Sequence, residues 1–321
     1  MMRHLSWRAI RSHAATGTAA VVCLIGIACA DATSPPSALA PRTPSMDRRT
    51  PTFEYVTIDV PGAVATALQG INADGDIVGL YVGANGRTHG FMRQNGITTL
   101  IDYPAADNTD VRGIGSDGTV VGTYWNVGEE AAASHGYRRT ADGTFSRVHD
   151  AGHLYEIPQR ILPDGTILGC VHDHDRMATM FGAAFRDDEP LEMTDLFASM
   201  HNGASPNGRL IVGLYLNMMV TPNRSESYVI DVARGETTTF IVPGSIATSA
   251  WDVNPRGDIV GVFRDAALVF HGFVRTDAGF TPIDVPGATA TRAFGINARG
   301  DVVGSYVLGG VTHGFQAVRV R

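Results

Sequence analysis

Gly75-Asp76-Ile77-Val78-Gly79 is one of six related phrases in this chain, each a tight turn followed by two or three apolar residues and a glycine. The others run from Gly118 to Gly122, Gly165 to Gly169, Gly208 to Gly213, Gly257 to Gly261 and Gly300 to Gly304. Their closing glycines lie 43, 47, 44, 48 and 43 residues apart. A period in that range is the length of one four-stranded propeller blade, so the spacing decides the architecture before any single residue is interpreted.

Outward from the phrase, each unit holds four short runs rich in β-branched and aromatic residues. The first is Phe53 to Pro61, Ala65 to Asn72, Asp76 to Tyr81 and Thr88 to Phe91; the last repeats it as Phe280 to Pro286, Ala290 to Asn297, Asp301 to Tyr306 and Thr312 to Phe315. Gly, Asn, Asp and Pro separate the runs, as turns between strands require. Gly75 and its counterparts supply the positive φ of a tight hairpin. The run after that turn is apolar on both faces, the pattern of a strand buried between stacked sheets. Its closing glycine, Gly79 and five equivalents, is expected where neighbouring blades come closest. No long window keeps a helical period; Met193 to Met200 is the nearest candidate.

Pro282 lies inside the Phe-x-x-Ile-Asp-Val-Pro run, and a proline confines a strand to a sheet edge. That run is therefore the outermost of its blade. The chain begins its repeats with such a run and ends without one. The expected fold is all-β: residues 52–321 form a six-bladed β-propeller of four-stranded blades, with the N-terminal strand completing the last blade.

The first fifty residues have another character. Arg3, Arg8 and Arg11 precede an apolar run from Ala14 to Ala28, the layout of a signal peptide over residues 1–29. Two processing readings stay open. Ala28-Cys29-Ala30 fits plain cleavage, whereas Ile25 to Cys29 fits a lipobox whose cysteine is acylated, although Gly26 stands where Leu is usual. A Pro/Ser/Thr-rich tether over residues 30–51 favours lipidation at Cys29. The expected localisation is accordingly exported: an outer-membrane or cell-surface lipoprotein, or a secreted or periplasmic protein. Past Cys29 the only cysteine is Cys170, so core packing and not crosslinking must hold the exported fold. Every basic residue is arginine, and 22 of them past the signal face 32 acidic residues. That balance, without a basic cluster, argues against nucleic acid and anionic lipid as partners. The chain is expected to act as a monomer, reaching the membrane only through its anchor.

The Gly-Ile-Asn phrases at Gly70 to Asn72 and Gly295 to Asn297, the Asp-Ile/Val-Val-Gly phrases at Asp76 and Asp301, and His-Gly-Phe at His89, His271 and His313 resemble the bacterial extracellular HAF-repeat family. The resemblance covers residues 53–321, most strongly at both ends. It implies export and a repeat fold, and brings no catalytic residues.

His89, His135, His271 and His313 recur at one place in four units. A residue repeated per blade serves the blade, so these are expected to orient hairpins by bonding turn carboxylates. Asp59, Asp102 and Asp284 end outer strands, and turn chemistry accounts for them. His172-Asp173-His174-Asp175 is different, because no other unit has it. It falls in a loop of the third blade, offers two imidazoles and two carboxylates to a divalent ion, and places both rings on one side. His149, His153 and Glu156 lie nearby and are candidates to complete a shell. No other cofactor is expected. Trp125, Tyr155 and Trp251, with His153 and Glu156, are the ligand-binding candidates, as aromatic platforms near loops. No nucleophile elbow, Walker loop, zincin or Cys-x-x-Cys motif occurs. The pattern points to an envelope-anchored, non-catalytic binding or scaffold module for a protein or polysaccharide. The alternative is an extracellular propeller hydrolase or lyase acting on a polymer.

Overall fold

The structure, a computed structural model, describes residues 50–320 except 150, 151, 187, 188 and 195. The expectations for the signal, Cys29 and the tether up to residue 49 lie outside the described residues. Six antiparallel four-stranded sheets form a ring, so the protein is an all-β six-bladed propeller. Numbered from the first complete sheet, the innermost strands of blades 1 to 6 are Ala65–Ile71, Asn108–Ile114, Tyr155–Ile161, Met200–Ala204, Ala247–Val253 and Ala290–Ile296. Phe53–Thr57 pairs with Val311–Arg319 as the outer strand of blade 6. Ring closure by the N-terminal strand is therefore as expected, and Pro282 lies on the outer strand Gly279–Ile283 of blade 5. Among the described residues, Met193 ends one strand and Met200 begins the next, with no helix between them. The one short helix among the described residues, Arg176–Thr179, is capped by Asp175, whose side chain accepts from the Ala178 amide.

Strand direction gives the disc two unlike faces. On the turn face, hairpins such as Asn72 to Asp76 join first to second strands, and Gly75 has φ +95°. On the loop face lie the connections from second to third strands and from each outer strand to the next blade. Both ends of the ring leave on the turn face, where the Val320 amide bonds the Thr52 carbonyl at 2.9 Å.

Every innermost strand carries a β-bulge at the same place, leaving Gln69, Arg112, Gln159, Asn202, Trp251 and Phe294 out of register with the second strand. A bulge disrupts the ladder and bends the strand, which here follows the bore. The bulge also corrects the expectation for the phrase-closing glycines. A Cβ on Gly79 would sit 2.2 Å from the Ala67 carbonyl, and one on Gly304 1.9 Å from that of Arg292. These atoms belong to the same blade, where the bulged strand presses on its partner. Closest approach between blades falls instead on the inner-strand glycines, since a Cβ on Gly295 would meet the Gly70 Cα at 3.1 Å. Gly79→Ala is expected to cost about 1–3 kcal/mol through this overpacking, read as a lowered melting temperature in calorimetry; an unchanged melt contradicts the assignment.

Candidate functional site

The bulges leave backbone carbonyls around the axis, and buried carbonyls need donors. Arg160 supplies them. Four blades have glycine directly after the bulged residue, at Gly70, Gly113, Gly203 and Gly295, but blade 3 has Arg160 and blade 5 has Asp252. Arg160 Nη1 donates to the carbonyls of Arg112 and Gln159, both at 2.8 Å, and Nη2 to those of Gln69 at 3.2 Å and Phe294 at 2.6 Å. Its Nε lies 3.5 Å from the Asp252 carboxylate. Asp252 also accepts from the amides of Val253 and Ile296. One planar guanidinium thus joins blades 1, 2, 3, 5 and 6, as its forked donors allow. Blade 4 joins through Asn202, whose amide donates to the Ala250 carbonyl at 2.7 Å. Burial raises the pKa of Asp252 above the ordinary carboxylate range, against the pull of Arg160.

Trp251 belongs to this axial ring and not to a loop, which corrects its expected position. It packs edge-on against Phe294, with ring centroids 4.9 Å apart. Trp125 does end a second strand on the loop face, Val120–Trp125, and is partly exposed.

The recurring histidines sit on the loop face, each beside a carboxylate. His313 lies 2.7 Å from Asp59, His271 3.0 Å from Asp284, His89 3.1 Å from Asp102 and His135 3.2 Å from Glu129. Each also packs on an aromatic of the adjacent strand: Tyr306, Phe263, Tyr81 and Tyr124. They are hairpin struts, repeated because blades repeat.

Non-repeated polar side chains gather on the loop face of blades 2 and 3. Tyr155 begins the innermost strand of blade 3, and its hydroxyl donates to Glu130. His174 Nδ1 lies 2.6 Å from the same carboxylate. These contacts hold Glu130 below the usual carboxylate range, and they push the Tyr155 phenol up to about 12. His172 is fully buried, with Nε2 3.0 Å from the Ser134 hydroxyl. Both rings of the His172-Asp173-His174-Asp175 cluster do flank Tyr155, at centroid distances of 5.4 and 6.4 Å. Their nitrogens and the two carboxylates serve different partners, however. Asp173 accepts from the Leu154 amide, and Asp175 caps the short helix. Among the described residues no three His, Cys, Asp or Glu side chains converge as metal ligands.

Glu156 is wholly buried, 3.0 Å from His149 Nδ1. It occupies the position of Thr66, Thr109, Thr248 and Thr291, whose hydroxyls accept from loop amides in the regular blades. His153 lies in the connection just before Tyr155 and is partly buried. A groove of about 490 Å³ near Arg93 and Arg299 lies between blades 6 and 1. Its charges clasp hairpins: Arg299 bonds Asp301 at 2.9 Å and the Ala73 carbonyl of the next blade at 2.9 Å.

No family model matches the chain, and no curated protein does. Several solved structures share its fold. TolB from Acinetobacter baumannii aligns with a TM-score of 0.52 at 15% identity over 68% of this chain, which spans about half (54%) of that protein. A putative TolB from Agrobacterium tumefaciens aligns at 0.50 and 15% identity, over 67% of this chain and 75% of its own. A gluconolactonase from Xanthomonas campestris aligns at 0.50 and 14%, over 84% and 90%. Identities this low establish the propeller fold alone.

Two expected outcomes follow from the interior. Arg160→Met strips the axial carbonyls of donors and leaves Asp252 buried alone, a loss of about 3–5 kcal/mol, whereas Asp252→Asn, which keeps an acceptor for Ile296, costs less; denaturant titration that reverses this order contradicts the assignment. His201 is fully buried against the Tyr228 hydroxyl at 2.6 Å, and burial lowers its pKa to about 4. The unfolded state, titrating near pH 6.5, binds the proton first, so stability falls as pH drops from about 6.5 to 4, by on the order of 3 kcal/mol. His201→Leu, the residue that blade 1 has at Leu68, should remove that part of the acid loss; an unaltered pH profile speaks against it.

Proposed function

We propose that this chain is an exported, envelope-anchored propeller that binds a protein or polysaccharide on its loop face without catalysing a reaction on it. The observation that carries this reading is where the non-repeated polar groups lie. The unique charges at the axis, Arg160 and Asp252, are consumed in joining blades. Those around Glu130, Tyr155 and His174 lie on the loop face, on two connections and the start of one inner strand. Loops on a rigid scaffold are the usual place for recognition. The apolar run and Cys29 near the N-terminus support export and anchoring, and the tether supplies reach.

The test is binding by the purified protein to fractionated envelope proteins and to cell-surface polysaccharides. A saturable ligand is expected, with affinity lowered at least tenfold by Tyr155→Ala combined with His174→Ala at unchanged melting temperature. Cleavage of any polymer by the wild type would overturn the reading in favour of a hydrolase or lyase.

A further inference from the structure

Exposed large apolar side chains are distributed unevenly over the disc. The loop face carries at least one from every blade: Val64, Val127, Leu154, Met219, Leu268 and Leu308, from 44% to 94% exposed. Phe197, Met218, Ile246 and Val311 lie on the same face, whereas Val56, Ile97 and Leu100 lie along outer strands and Val318 and Val320 lie at the turn-face end of the last strand. Single exposed hydrophobics are ordinary, but a set concentrated on one face marks an interaction surface. Leu268 adds an independent sign. It is held at φ +68° at a hairpin tip, a left-handed conformation that a bulky side chain adopts only at a cost in strain.

The charge on the same face restricts the occupant. Its described connections hold nine carboxylates against two arginines, Arg87 and Arg176, with Arg224 and Arg264 at the adjoining strand ends. A second copy docking face to face would set acid against acid. A sugar polymer would leave the aliphatic tips with little to bury against. A protein surface that is basic and apolar meets both demands. The described ends of the ring, at Thr52 and Val320, emerge on the opposite face.

Resting on the binding-module reading above, we infer that the whole loop face is a docking surface for a protein partner with a basic, apolar-studded surface, gripped by a ring of aliphatic tips with carboxylates between them.

Three fluorescein-labelled peptides of equal length test this by anisotropy titration against the purified protein: alternating lysine and leucine, alternating lysine and serine, and alternating glutamate and leucine. The lysine–leucine peptide should bind saturably and more weakly as salt rises, and the other two at least tenfold less tightly. Met219→Ser combined with Leu268→Gly should weaken it at least tenfold with the melting temperature kept or raised, since glycine relieves the left-handed residue. Asp277→Ser on the turn face should change nothing. Equal binding of the lysine–serine peptide, or full binding by the Met219/Leu268 variant, overturns the inference. A polysaccharide held on the loop face while no peptide binds also overturns it, and leaves the binding-module reading standing.

Discussion

A six-fold ring built from bulged strands creates a particular difficulty at its own axis. Each bulge bends the inner strand and takes one residue out of the ladder, leaving carbonyl oxygens in a space without another strand. Arg160 meets four of them with two nitrogens, and Asp252 balances its charge. Asp252 would not be stable there alone, because a buried charge without a partner is costly, whereas Arg160 keeps its four carbonyls. The glycines at the same position in the other four blades are equally necessary. A Cβ on Gly113 would lie 2.5 Å from the Gln159 carbonyl that Arg160 uses. Arginine in one blade thus requires near-absence of side chains in most of the others.

Filling the axis leaves the loop face as the accessible varied surface. The regular blades present there a repeated strut of histidine, carboxylate and aromatic, which fixes hairpin geometry and leaves the tips to vary. Blades 2 and 3 carry the unique groups, in connections longer than the turn-face hairpins. Glu156 shows the same substitution of a special group for a regular one, a buried carboxylate where other blades have threonine. The scaffold and its variable surface are therefore built at the two ends of the same strands.

Much of this was legible beforehand, because it is periodic. The blade count, the closing strand, the edge position of Pro282 and the structural role of the histidines all follow from repeated residues with fixed spacing. Where sequence reasoning went astray, the deciding contact is three-dimensional. The phrase-closing glycines are crowded by their own blade and not by its neighbour, since no pattern reveals a bulge on the facing strand. Trp251 reads as a platform near a loop, yet it sits at the axis beside Phe294. Arg160 and Asp252 went unnoticed although they stand where four other repeats have glycine. Position by position, that departure was visible. Its meaning was not, because the pair forms only when residues 92 apart meet across the bore. The His172–Asp175 cluster reads as a loop, yet His172 ends the second strand of blade 3, paired with Tyr155, and only the residues after it leave the sheet. The contacts of its two imidazoles depend on Glu130 and Ser134, from another blade.

The central claim is that a single guanidinium closes the axis, and its own protons report on that most directly. With ¹⁵N-arginine labelling, the Arg160 Nη–H resonances should appear as resolved, non-rotating signals, exchanging with solvent as slowly as the inner-strand amides and vanishing only with global unfolding. Averaged Nη signals in fast exchange with water, in protein whose inner strands remain protected, would mean an open bore and would contradict the account.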